Sequence, residues 1–262
     1  MEALSATLYA TTFTFVMNAL GAAAVLISKK QPSPLFNKLS LGFAAGIMIA
    51  ASMWSLLMPA IEQVESTGEI AAIPVATGFI AGALFLMSLD KLMPHLHLNS
   101  NEPEGPYSSL NKHNLLFLAM TIHNIPEGMA VGISFVAAAT VDSPEAYSAA
   151  IALTIGMGIQ NIPEGTAVTL PLRTNGMSRA KSFALGALSG IVEPLAALVV
   201  VFLASFFIPL MPWLLSFAAG AMIYVVVEEL IPTARLGEHS DIGTLSVIAG
   251  FVLMMVLDTS LG

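Results

Sequence analysis

Two stretches of this chain place side chains able to hold a metal ion or a proton inside long apolar runs. Residues 121–128 read "TIHNIPEG" and residues 158–165 read "GIQNIPEG". In the first, His123 and Glu127 stand at i and i+4, and Asn124 and Glu127 at i and i+3, so all three share one helix face. The second repeats the arrangement as Gln160, Asn161 and Glu164. A third acid, Glu193, sits in "VEPLA". A charge at the bilayer centre costs about 2.5–3.5 kcal/mol, so three unpaired carboxylates would cost on the order of 10 kcal/mol. No Lys or Arg lies at their depth, which leaves protonation or a shared cation. Imidazole, carboxylate and amide oxygen without thiolate suit Zn²⁺, Fe²⁺, Mn²⁺ or Cd²⁺ better than Cu⁺. Pure Mg²⁺ or Ca²⁺ sites rarely recruit an imidazole. Met48 is a candidate soft thioether ligand. Pro126 and Pro163 cannot donate to the carbonyls of Ile122 and Ile159, so both helices are expected to kink there.

Such groups need membrane helices to position them, and the composition supplies these. The chain has 262 residues, 56% of them hydrophobic and 10% charged, with a mean hydropathy of +0.83. A soluble domain carries roughly 25% charged residues, so a deficit spread along the whole chain indicates a polytopic membrane protein. With no cysteine there is no disulfide, thiolate site or cysteine nucleophile. A net charge of −8 excludes a general nucleic-acid surface. No hydrolase or metalloprotease motif occurs in any span, which argues against an enzyme or a catalytic cofactor.

Apolar runs long enough to cross about 30 Å of hydrocarbon fall at about 4–28, 36–60, 71–93, 113–139, 146–172, 181–208, 211–233 and 242–261. The first is longer than a signal-peptide core, with Glu2 before it and Lys29 and Lys30 after it, so it reads as a retained span running outside to inside. Eight spans with both termini outside put all nine basic residues in the loops at 29–38, 91–112, 173–181 and 234–241. The outer segments carry Glu2, Glu62, Glu65, Glu69, Asp142 and Glu145 and no basic residue, the pattern of a plasma (inner) membrane protein whose basic loops face the cytoplasm.

The chain also repeats itself. "FAAGIMI" (43–49, span two) returns as "FAAGAMI" (217–223, span seven), and "GALFLMSLD" (82–90, span three) pairs with "GFVLMMVLD" (250–258, span eight). An offset of five spans reverses orientation, so the reading is an all-α, 3+2+3 inverted-repeat bundle. Residues of about 4–93 and 181–261 form the repeats around central helices at about 113–172, in one transporter domain. Inverted repeats place substrate near the midplane. On the inner side, Asp90, His95 and His97 in "LDKLMPHLH", with Glu228 and Glu229, form a candidate release path. Adjacent helix positions point about 100° apart, so at most one of the two glutamates faces a given site.

The paired "HNIPEG" and "QNIPEG" resemble the ZIP family of divalent-metal transporters, in its prokaryotic branch. The likeness extends to "LGFAAGIMIAAS", "LDKLMPHLH", "GIVEPLAAL", "EELIP" and "MMVLDTSLG", nearly the whole chain. It implies inward transport of a divalent metal, zinc first among zinc, iron, manganese and cadmium, and a homodimer in the lipid bilayer. It also implies a binuclear centre, with His123, Glu127, Gln160, Glu164 and Met48 at one ion. Asn124, Glu127, Asn161, Glu164 and Glu193 would hold the other. The chain departs from the family in having Asn161 where relatives often have aspartate, Gln160 where many have histidine, and Glu228 where some have histidine. A competing reading is a proton-coupled carrier of an organic solute, with the glutamates as relay.

Overall fold

The computed structural model describes residues 2–28, 33–96, 103–110, 112–174, 176–204, 208–234 and 241–261. Among these the elements are helices, apart from one isolated antiparallel bridge between His95 and Glu104. Span one is Glu2–Ile27. Span two runs Pro34–Ala51, through a π-helical turn Ser52–Leu57, to Met58–Glu65. Span three is Ala72–Leu92, span four Lys112–Val141 and span five Pro144–Thr174. Span six is Arg179–Ser189 followed by Val192–Ala204. Span seven opens with a 3₁₀ turn at Ile208–Leu210, then runs Met211–Val225, a second π turn Val226–Leu230, and Ile231–Ala234. Span eight is Asp241–Leu261. Seven of these are long and apolar enough to cross a membrane. Span five is the exception, because Gln160, Asn161 and Glu164 dilute it.

Local sequence sets the boundaries. Span two starts where Ser33 Oγ accepts from the Phe36 N–H at 3.1 Å with Pro34 in the first turn, a favourable start because proline lacks the donor that position would orphan. Span six starts on Ser178, whose Oγ accepts from Lys181. The turn between spans four and five is short. Asp142 adopts a left-handed backbone (φ 53°), which its short polar side chain tolerates, and Ser143 caps Ala146. Neither Pro126 nor Pro163 ends its helix. The break falls instead in span six, at Gly190 and Ile191.

The spans pair non-sequentially. Two packs on eight, three on seven, one on five, and four on six. Glycines set the closest of these approaches. A Cβ at Gly46 would overlap the Val247 carbonyl, and one at Gly250 the Phe43 carbonyl. In the other seam, Gly220 meets the Phe79 carbonyl and Gly82 the Phe217 carbonyl. The four glycines occupy matching places in the two repeated sequences, and so do their partners. Each π turn begins nine residues after the matching Phe43 or Phe217. Spans one, four, five and six thus form one packed group, and two, three, seven and eight another. They meet where four touches seven and where five touches two and eight. Apolar side chains such as Ile73, Ile80, Leu195, Phe202, Leu245 and Ile248 face outward, as a lipid-facing perimeter requires.

Candidate metal centre

The polar residues of spans four and five are brought together and buried. Exposure is 7% at His123, 3% at Asn124, 2% at Glu127, 0% at Gln160, 1% at Asn161 and 4% at Glu164. Glu193 of span six joins them at 1%. The carboxyls of Glu127, Glu164 and Glu193 lie near enough to repel one another. Among the described residues no Lys or Arg pairs with any of the three.

The "PEG" glycines let flanking helices close in. Gly128 packs on the backbone of Glu193, and Gly165 on the backbone carbonyl of Asn18. Each motif asparagine then reaches its flanking helix. Asn124 Nδ2 donates to the Ser189 carbonyl at 3.1 Å, and Asn161 Nδ2 to the Thr14 carbonyl at 3.2 Å. Asn161 Nδ2 also donates to Glu193 Oε1 at 2.9 Å. Two acceptors on one nitrogen fix the amide's orientation, so Asn161 Oδ1 faces away from both.

Several buried polar atoms of this cluster lack a hydrogen-bond partner: Glu127 Oε2, Gln160 Oε1 and Nε2, and Asn161 Oδ1. Buried polar atoms are nearly always satisfied. Four orphans in one cluster of acids and amides, three of them oxygens, make a donor set suited to a hard or borderline cation. Met48 is fully buried on span two, in the same apolar cluster as Ile122 and Met157.

A second cluster lies at the C-terminal end of span three. Asp90, His95 and Glu104 bring one ligand atom each within 4.8 Å of one another, with His95 Nε2 2.9 Å from Asp90 Oδ1. Tyr224 OH stands 3.5 Å from Asp90 Oδ2. The sequence reading missed Glu104. Its register comes from the bridge to His95, whose backbone N–H donates to the Glu104 carbonyl at 3.2 Å while the Glu104 N–H returns the bond at 2.9 Å. Of the span-seven glutamates, Glu229 is buried and Glu228 exposed, as adjacent helix positions require. His97 lies outside the described residues. In contrast, no three of His123, Glu127, Glu164 and Glu193 come within that 4.8 Å spacing.

Near the C-terminal end of span eight, Asp258 Oδ1 accepts from Ser55 Oγ at 2.7 Å. Asp258 borders an open cavity of about 620 Å³ that Glu62, Gln63 and Glu145 also line. Two of the acids expected on the outer surface thus share one opening.

The sequence is similar to known transporters along its length. The family model described as "ZIP Zinc transporter" matches residues 106–258. "Zinc transporter ZIP11" of Homo sapiens is 38% identical over 97% of this chain and 97% of its own length. "Zinc transporter GufA" of Myxococcus xanthus is 40% identical over 99% of this chain and 100% of its own. "Zinc transporter ZIPB" of Bordetella bronchiseptica is 39% identical over 95% of this chain and 79% of its own.

Proposed function

The chain belongs to the ZIP zinc transporter family, and from that premise we propose that the cluster on spans four, five and six is the site through which it moves its substrate. The protein is a multi-pass membrane transporter of divalent metal, not an enzyme. Zinc is the principal substrate, with iron, manganese and cadmium as alternatives, and the direction is into the cytoplasm. His123, Glu127, Gln160 and Glu164, with Met48 at the edge, bind the first ion. Asn124, Asn161 and Glu193 extend the site towards a second ion, the two glutamates bridging. The observation that carries this reading is the set of orphaned buried atoms on Glu127, Gln160 and Asn161, in a buried cluster with three acids and, among the described residues, no Lys or Arg partner.

The remaining assignments follow the same chemistry. Asp90 and His95 with Glu104 receive the ion on the inner side, where Glu229 is the buried member of its pair. Matched glycine contacts and matched π turns support an inverted repeat with the central helices between its halves. The distribution of basic residues supports outer termini and a plasma-membrane location. The apolar perimeter admits a homodimer.

Purified protein in liposomes tests the reading. Zinc uptake is expected in the wild type and absent in Glu127→Ala. Proton-driven uptake of an organic solute with no metal requirement would instead support the relay reading. A panel of metals with and without a pH gradient ranks the substrates and reveals any coupling.

A further inference from the structure

Asn18 has no motif around it in the sequence, yet it is 3% exposed in the middle of span one. Its side chain fills a slot left by missing neighbours. A Cβ at Gly190 of span six would overlap the Asn18 amide, and one at Gly165 of span five would overlap its backbone carbonyl. The Asn18 amide Nδ2 donates to the Gly186 carbonyl at 3.0 Å.

That carbonyl is one of two stranded by the break in span six. In a continuous helix the Gly190 N–H would donate to Gly186, and the Glu193 N–H to Ser189. Here Gly190 N–H turns to Ala187 at 3.3 Å and Glu193 N–H to Gly190 at 3.1 Å. A carbonyl stranded in the bilayer interior must find another donor. Ser189 receives Asn124 Nδ2. Gly186 receives Asn18 Nδ2, together with the Ser189 hydroxyl at 2.8 Å. Side-chain amides from two other spans therefore stand in for the two lost backbone donors. The break they hold lies three residues before Glu193 and decides where that carboxylate meets Asn161.

The place Asn18 occupies carries its own signal. Gly165 packs on Asn18 as Gly128 packs on Glu193, and Asn161 reaches the Thr14 carbonyl as Asn124 reaches that of Ser189. Thr14 and Ser189 each lie four residues before Asn18 and Glu193. Span one thus puts a neutral amide where span six puts an acid.

We propose that Asn18 is a positioning residue of the metal centre, holding the span-six break in the geometry that presents Glu193. The proposal rests on Glu193 being a ligand, and the test separates the two. The zinc dependence of the melting temperature is measured on the purified full chain, all variants carrying His95→Ala so that the inner cluster contributes little. Binding to the folded state stabilises it as the logarithm of one plus the ratio of zinc concentration to dissociation constant, so the zinc concentration that gives a fixed rise in melting temperature tracks the affinity. Asn18→Leu keeps the branched shape and removes the donor. It is expected to raise the zinc concentration for a given shift about tenfold, the value of one buried hydrogen bond. In a Glu193→Ala background the same substitution should change that concentration by less than about twofold. An equal effect in both backgrounds, or no effect of Asn18→Leu on the zinc response, overturns the proposal. A wild-type zinc response in Glu193→Ala overturns it together with the ligand reading. Asn18→Ser, which keeps a shorter donor, is expected to recover part of the zinc response and carries the cycle where the leucine variant does not fold.

Discussion

Glu127 and Glu164 answer each other across two helices, each with a partner one turn away, His123 and Gln160. Removing either acid takes away negative charge that no nearby residue replaces. Glu127→Ala is expected to abolish zinc uptake into liposomes, and Glu164→Ala to reduce it by at least the 10–100-fold typical of losing even an outer-shell metal partner. Lys112→Ala, at the start of span four, should leave uptake unchanged. Asn161→Leu removes the side-chain hydrogen bonds to the Glu193 carboxylate and to the Thr14 carbonyl at once. It should destabilise the protein by about 1–3 kcal/mol through the group left unpaired, seen as a lower melting temperature even without metal. The acids and the imidazole were legible in the sequence because their spacing on an apolar helix has no other easy explanation. The partners of the amides were not. Ser189 and Thr14 contribute backbone carbonyls, and a backbone carbonyl has no letter of its own. Glu104 was hidden differently, since only a bridge between extended segments brings it to His95.

At the scale of the helices, the seams depend on the absence of side chains. A leucine at Gly46 or at Gly220 would drive atoms into a facing carbonyl. The backbones would have to part, at a cost of at least the 1–3 kcal/mol of ordinary overpacking. Both substitutions should lower the melting temperature by similar amounts, because their surroundings match. Gly68→Asn is the control: it has a left-handed backbone (φ 79°) with nothing nearby, a conformation asparagine accepts, and its melting temperature should not move. Span number and order were readable from apolar length and turn residues, and the eight spans among the described residues fall where those runs lie. The break in span six was not, although Gly190 and Pro194 flank it. Glycine and proline in a membrane helix are common, and what accompanies the break here is a pair of amides on spans one and four that donate to the freed carbonyls. The π turns escaped the sequence for a similar reason. Their signal is the register of a backbone bond, as where the Met58 N–H reaches Met53.

For the molecule as a whole, the charge distribution predicts an orientation. With no native cysteine, single cysteines can map the sides without background. Glu62→Cys should react with a membrane-impermeant maleimide on intact cells, and Arg179→Cys only after permeabilisation. The reverse pattern would invert the topology and with it the direction of transport. Packing divides the bundle into two groups of four spans. Within each group the closest contacts are glycine against carbonyl. Between them, contacts such as Met254 against Gly156 rely on flexible side chains, which can slide with less disruption.

The same glycine seams set a timetable for biosynthesis. Gly46 waits for Val247 and Gly82 for Phe217, partners translated long after their own helices have entered the bilayer. Until then the amino-terminal spans present unfilled grooves to lipid or to chaperones. A nascent chain arrested before span seven should therefore remain open to proteolysis. Emergence of the last two helices should be what closes it.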